Sequence, residues 1–490
     1  MSPLLLISLM IGVFMGALDN SILAPAIAAI GHSFSVSPAA VVLAFSIYSV
    51  FYAVAVPVLG KLADRFGYRQ IYAFSMALFA LGSAGSALSP SLSWLVAARV
   101  VQAVGAGGLF PVAQAIIGVT LPPEQRGRAL GAVLGVFALG NVLGPNLGGL
   151  IVQYASWHWV FWINVPIGAV GVWLLSRVRL ARTDRPPARL DLWGAALVAL
   201  TFASLVLGIQ TLQSVAATGF FSWVVGGKFL LAAAGLVALI LVELRQADPI
   251  LDVRLLSSPQ LAPLLLVSVF IGYALLGGIV FSPTYAQIAF GSSPFASGAL
   301  LDTLAVGLGL TSALSGNLIA KVGAKPLALI GAAGTAAGLG VMSYASSSLG
   351  GLLLGLTLLG LGLGLVQGPL SYLALGAASR RDQGQVSGLV SLTRSLGGAA
   401  GITLSGVFLG QASAKLASLG GPGAAAGVPS GASLASAPAF VRRLVVHTLS
   451  GGVLTGWHWA FFAAGLALLL TPLIPGRREE GAQPASRGEA

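Results

Sequence analysis

One aspartate, Asp19, stands inside an apolar run from Leu4 to Ile30, and one arginine, Arg99, inside another from 93 to 119. Each run is long enough to cross a bilayer, which takes roughly 20 apolar residues. A charge at that depth costs a few kcal/mol, so an ionisable residue within a span is a functional candidate. Asp19 lies about fifteen residues, roughly 22 Å, into its helix, and Arg99 about six residues into a helix running the other way, so their depths agree. An ion pair between them is geometrically open. Arg99 would hold Asp19 ionised while desolvation favours the neutral acid, and a carboxylate balanced between those effects can load and release a proton. A static pair that only fixes two helices is the plainer alternative. Asp302, in "GALLDTLAVG", comes to a similar depth. It either shares a cavity with Asp19 as a second substrate-binding acid, or it caps a kink or meets water at a helix end. Arg394 lies about nine residues up its run. It either takes part in transport, or snorkels, or binds a carbonyl.

The elements that must position these groups follow from composition. With 57% hydrophobic and 8% charged residues, against about 25% charged in soluble domains, the 490-residue chain reads as an all-α integral membrane protein. Its formal charge of +12 is spread in short clusters between apolar runs, which speaks against a nucleic-acid partner. The absence of cysteine excludes disulfides and thiolate metal sites. The first run lacks a basic leader and a small-residue cleavage site, and reads as a retained helix. "GLGLGLVQG" has glycines like a nucleotide loop but lies inside an apolar run, and neither a phosphate loop nor HExxH occurs, so no cofactor or metal is expected. His32, His158, His447 and His458 are scattered near one membrane face and read as interfacial anchors.

Fourteen apolar runs fall at about 4–30, 39–59, 71–88, 93–119, 129–154, 158–176, 191–214, 221–242, 260–285, 294–320, 326–345, 349–375, 385–410 and 452–474. With a cytoplasmic N-terminus, nineteen of the 25 Lys and Arg residues are inside, three within spans, and Lys415, Arg442 and Arg443 in one long external loop. That distribution meets the positive-inside rule and puts both termini in the cytoplasm of a cell-membrane protein. The external segment 411–437, rich in Gly, Ala, Ser and Pro, reads as a flexible loop.

An internal repeat organises the spans. "GKLADRFGYR" at Gly60 has an echo in "GNLIAKVGAK" at Gly316, and "QRGRALG" in "DQGQVSG", with Gly140 and Gly144 matching Gly397 and Gly401. "WHWVF" at Trp157 returns as "WHWAF" at Trp457, each opening the last helix of its half. The expected organisation is a six-helix half at 1–176, two linker helices within 177–258, a second six-helix half at 259–475 and a tail at 476–490. Parallel repeats of this kind hold a substrate path at their interface.

In order along the chain, "LDNSILAPAI", "GKLADRFGYRQ", "RVVQAVGAG", "GNVLGPNLGG" and "WHWVFWINVPIG" resemble motifs of the major facilitator superfamily, and within it the fourteen-helix drug/proton antiporter branch. The resemblance spans nearly the whole chain. It implies a non-enzymatic, proton-coupled exporter of amphipathic, often cationic drugs working by alternating access, with export of a lipid or another endogenous amphiphile as the alternative. It implies proton coupling at Asp19 and Arg99, and gating by the loop residues Gly60, Asp64, Arg65, Gly67 and Arg69. The helix-5 motif adds Gly140, Gly144, Pro145, Gly148 and Gly149, whose small side chains also suit simple close packing. The loop charges, read alone, suit either a latch between states or a solvated topogenic cluster. His158 stands where the branch often has Arg, and Ala320 stands where the first loop has Asp64, so the gating charges are assigned to the first half only. The partners expected are protons, a small amphipathic substrate and the bilayer, around a monomer.

Overall fold

A computed structural model describes residues 3–121, 123–178, 191–214, 222–246, 253–256, 258–377, 383–418 and 439–474. The chain opens with α1 (Pro3–Ile22), a 3₁₀ turn over Ala24–Ala26, α2 (Ile27–Phe34), α3 (Pro38–Phe66), α4 (Tyr68–Ala87), α5 (Leu92–Thr120), α6 (Pro123–Tyr154), α7 (Trp159–Trp162) and α8 (Asn164–Ser176). The helices α9 (Leu192–Gln210), α10 (Gly226–Glu243) and α11 (Val253–Leu256) follow. The remainder is α12 (Ala262–Ile279), α13 (Ser282–Phe290), α14 (Pro294–Ala299), α15 (Leu301–Val322), α16 (Ala324–Ala345), α17 (Leu349–Ala377), α18 (Gln383–Ser418) and α19 (Ala439–Leu470). No strand occurs among the described residues.

Local chemistry sets the helix ends. Ser37, Ser91 and Ser293 each accept a backbone N–H three residues on, and Pro38 and Pro294 open the helices that follow two of them. The 3₁₀ turn that separates α1 from α2 holds Pro25, and Pro283 opens α13 just beyond the end of α12. At the opposite end of the bundle α3 passes into α4 through Gly67 at φ +98°, and α15 into α16 through Gly323 at φ +91°. Both glycines cap by donating to the carbonyl four residues back, Ala63 and Ile319. Only glycine adopts that backbone without strain.

Eleven helical segments among the described residues are long and apolar enough to cross a membrane. The helix at Trp193–Ile209 is apolar but shorter. α4 carries Arg69 and Gln70 in its first turn and several serines, and α18 carries Arg394 among glycines, serines and threonines, so neither reaches the same apolarity. The expected loop at 411–437 is helical at its start. α18 runs on to Ser418 with Lys415 in its last turn, and α19 begins at Ala439, so Lys415 and Arg443 lie on helices; residues 419–438 are outside the described set. Helix formers such as the alanines and lysine of "QASAKLAS" carry the turn pattern beyond the apolar stretch. For the same reason Trp457 does not open its helix. It lies midway along α19, fully buried, and donates from Nε1 to Gly278 O at 3.0 Å.

α4 and α5 cross where Gly82 faces the backbone of Gln102 and Gly105 faces that of Phe79. α16 and α17 cross in the same way, Gly338 against Leu359 and Gly362 against Thr335. Gly140 and Gly144 of α6 abut Phe14 and Ile22 of α1, as Gly397 and Gly401 of α18 abut Val269 and Gly277 of α12. The sequence repeat is thus also a repeat of helix crossings, each made close by a missing Cβ.

The first and second repeats meet at two seams. In one, α6 meets α14 and α15: Gly149 faces Pro294 and Phe295, and Gly298 faces Pro145 and Pro25. In the other, α3 meets α18, where Thr403 Oγ1 donates to Ser46 Oγ at 2.7 Å and Gly406 faces Val42, with α9 packed alongside through Val206. Gly135 of α6 and Gly309 and Gly316 of α15 face open space, and the close approaches named at the first seam lie toward the end remote from Gly67 and Gly323.

Candidate functional site

Asp19 lies just before the end of α1, wholly buried. Arg99 and Gln102 occupy positions i and i+3 of α5, one face of a helix, and the close crossing at Gly82 brings them against Ser83 of α4. The first residue of α8 adds Asn164. Arg99 Nη1 donates to Asp19 Oδ2 at 2.6 Å and to Gln102 Oε1 at 2.7 Å. Gln102 Nε2 donates to Asp19 Oδ1 at 2.8 Å and to Ser83 Oγ at 3.1 Å. Asn164 Nδ2 repeats that reach, to Asp19 Oδ1 at 3.2 Å and Ser83 Oγ at 3.1 Å. Ser83 in turn donates to the Phe161 carbonyl at 2.8 Å.

The guanidinium of Arg99 lies 3.8 Å from the ring centre of Tyr48, on α3, with Phe161 at 5.9 Å. Such a face satisfies a cation without supplying a counter-charge. Four helical segments around Asp19 therefore hold one carboxylate, one guanidinium and three neutral hydrogen-bonding groups in a dry setting. Removing one member of a buried ion pair leaves the other uncompensated, which costs far more than the pair contributes. A small cavity borders this cluster at Arg99 and Tyr48. Arg99, Tyr48, Asn20, Phe45 and Ser49 line it from the first repeat, and Leu276, Val280 and Ile402 from the second.

The expected pairing of Asp19 with Arg99 is present as an ion pair, and its supports Ser83, Gln102, Asn164 and Tyr48 went unrecognised in the sequence. Gln102 was within reach of inference, three residues after Arg99; a serine or tyrosine in an apolar run carries no comparable signal. Asp302 does not join Asp19. Its carboxylate accepts from Asn146 Nδ2 at 2.6 Å across the α6–α15 seam, and it is not among the residues lining the cavity. Of the loop residues, Arg69 caps the end of α8 through the Leu175 and Ser176 carbonyls at 3.2 and 2.9 Å, and exposed Arg65 stacks on neighbouring Phe66 at 5.3 Å. Both contacts stay within the first repeat. The Asp64 side chain lies outside the described residues. A Cβ at Gly60 would meet nothing within 4 Å. Pro145 and Gly149 lie on the α6–α14 seam, whereas Gly140, Gly144 and Gly148 face α1. Arg394 Nη1 donates to Gln367 Oε1 on α17 at 3.2 Å. His158 stacks on Trp157 at 3.8 Å, and His458 meets Tyr344 edge-on at 4.9 Å.

The chain matches the Major Facilitator Superfamily over residues 9–402. It belongs to that superfamily. As a facilitator it is a multi-pass membrane transport protein and not an enzyme. Among its relatives, the multidrug transporter protein MdtP of Bacillus subtilis (strain 168) is 30% identical over 84% of this chain and 76% of its own. The tetracenomycin C resistance and export protein of Streptomyces glaucescens is 31% identical over 96% and 90%. In fold, this facilitator is similar to a bacterial homologue of the human lysosomal transporter Spinster, with TM-score 0.65 at 16% identity, covering 97% and 98% of the two chains.

The repeat shows how unequal the two halves of this facilitator are. In the register of the helix crossings, Ala274 takes the place of Asp19, Leu339 that of Ser83, Leu356 that of Arg99 and Leu359 that of Gln102, all four fully buried. The WHW register places Ala464 where Asn164 stands. The same helix crossing is therefore stable with an apolar interior, and the polar cluster is additional to what the fold needs.

Proposed function

We propose that the protein is a proton-coupled exporter of amphipathic compounds in the cell membrane, a monomer with fourteen spans and both termini in the cytoplasm. The carrying observation is the wholly buried Asp19 in ion pair with Arg99, on a helix crossing whose twin makes do with leucine and alanine. A titratable pair that the fold does not require is suited to proton coupling. Fourteen spans are supported by a helix at each of the fourteen apolar runs and by the even parity that the basic loops demand. In that orientation the close contacts of Gly149 and Gly298 at the first seam lie toward the outer face.

A proton on Asp19 neutralises the acceptor of Arg99, whose guanidinium then turns to the remaining oxygen of Gln102 and to the cavity that it lines. The charge state of one carboxylate is thereby transmitted to the seam between the repeats. Export follows if protonation from outside and release inside are tied to opposite-facing states. Relatives named for multidrug transport and for tetracenomycin C export support an amphipathic cargo. The test uses everted vesicles with an acid interior and a panel of cationic, neutral and acidic amphipathic dyes. At least one dye accumulates uphill, collapses with a protonophore and fails to accumulate with Asp19→Asn, a neutral isostere that leaves the protein monodisperse. Uphill, proton-driven accumulation by Asp19→Asn at the unmodified rate would overturn the reading.

A further inference from the structure

The proposed function leaves one membrane-depth charge unused. Arg394 sits eleven residues into α18, about 16 Å by helical rise, on the helix that forms the seam with α3. Among the described residues it has no carboxylate partner; the ion pair found there is Asp19 with Arg99. Its hydrogen bond goes to a neutral oxygen, Gln367 Oε1, at 3.2 Å. From the first repeat Tyr52 lies close enough for phenol and guanidinium to interact electrostatically. Tyr52 stacks with Tyr48 at 6.3 Å and 10°, and Tyr48 carries Arg99 on its face.

The repeat supplies the comparison that gives this arrangement meaning. In the register of Gly140 with Gly397 and of Gly105 with Gly362, Arg394 corresponds to Phe137 and Gln367 to Phe110. Those two phenylalanines pack against each other, ring centres 5.1 Å apart. An apolar pair thus serves the helix packing at the twin position, whereas the second repeat holds a guanidinium at a substantial desolvation cost. Neither Asp19 nor Asp302 offsets it. Asp19 accepts three donors and is sealed, and Asp302 holds Asn146 at the other seam.

We infer that Arg394, with Gln367 and Tyr52 beside it, is the subsite for an acidic group of the transported molecule, a carboxylate or similar oxyanion on an otherwise apolar body. The inference rests on the exporter reading above and names its cargo as acidic amphiphiles rather than cations. An oxyanion supplies the charge that Arg394 lacks and accepts its planar N–H fork. The apolar body has a matching wall. Ile402, two turns farther along α18 and about 12 Å away by rise, lines with Leu276, Val280 and Arg99 a small cavity between the repeats.

The test measures binding of pyrenebutyrate, its methyl ester and ethidium to the purified full-length protein in nanodiscs at neutral pH, by fluorescence anisotropy. The acid is expected to bind at least tenfold more tightly than the ester, and Arg394→Gln to bring the acid down to the ester's level, while Arg394→Lys retains a preference of several-fold. A wild-type ratio near one overturns the inference, as does a tenfold preference that survives in Arg394→Gln. The wild-type ratio alone decides if the Gln variant does not fold. The exporter reading fails separately: it is lost if no dye is driven uphill by a proton gradient, and kept if ethidium or the ester is driven uphill while the acid has no advantage.

Discussion

At the scale of single residues the central fact is that Asp19 is held by three donors, two from α5 and one from the first residue of α8. Gln102 bridges, accepting from Arg99 and donating to both Asp19 and Ser83, so it fixes the geometry of a pair that it does not charge. Gln102→Leu keeps the size but leaves Asp19 Oδ1 and Ser83 each one donor short in a dry interior. The expected cost is about 1–3 kcal/mol of stability, the scale of a buried group losing a hydrogen-bond partner. Thermal unfolding in detergent should show a clear fall in Tm, larger than for a serine-to-alanine change at exposed Ser371; an unchanged Tm would mean that the network is not tight. Leu359 at the twin position makes the same point from the other side, since leucine is stable there only where no carboxylate waits for a donor.

Among the elements, glycine decides which helices touch and which only come near. Gly298 on α14 faces the carbonyl of Pro145 on α6, at a seam that would part in the proposed alternating cycle. A leucine there cannot fit, and Gly298→Leu should shift the population toward the opposite-facing state. Spin labels on the outer ends of α6 and α15 would read this as a longer distance; an unchanged distribution counts against a mobile seam. Gly60 is the contrast. It sits in α3 with open space around its missing Cβ, so Gly60→Ala should be tolerated and stabilise the helix by roughly 0.5–1 kcal/mol. Loss of transport in Gly60→Ala would restore it to the gating set that the motif implies.

For the whole molecule, alternating access requires the α3–α18 seam to separate at the level of Ser46 and Thr403, whose hydroxyls now lie 2.7 Å apart. Because the chain has no cysteine, a pair can be placed there without background. Oxidation of Ser46→Cys with Thr403→Cys should stop transport and reduction should restore it, while each single variant keeps working. A cross-linked protein that still transports would show that this seam stays closed through the cycle. The two repeats divide the polar work between them. The first carries the sealed ion pair and the second carries Arg394, each opposite an apolar twin. Under the proposed function, proton and substrate would act on the same motion from different sides, Asp19 within one repeat and Arg394 beside the seam.

Much of this was legible in the chain itself. Apolar length fixes spans because the bilayer leaves backbone polar groups no partner but their own helix. A charge in such a span is conspicuous on the same physical ground, which is why Asp19, Arg99, Asp302 and Arg394 all stood out. The repeat was visible too, through glycines that recur because two backbones must approach. What only the tertiary structure decided is which neighbour each charge meets. Asp302 and Asp19 have similar depth, yet helical rotation and the glycine-set seam turn one to Asn146 and leave the other to Arg99. Arg69 reads as a gate charge but reaches the end of α8. Ser83, Asn164 and Tyr48 become functional candidates only through contacts far apart in sequence, a property of the packed helices that no local pattern encodes.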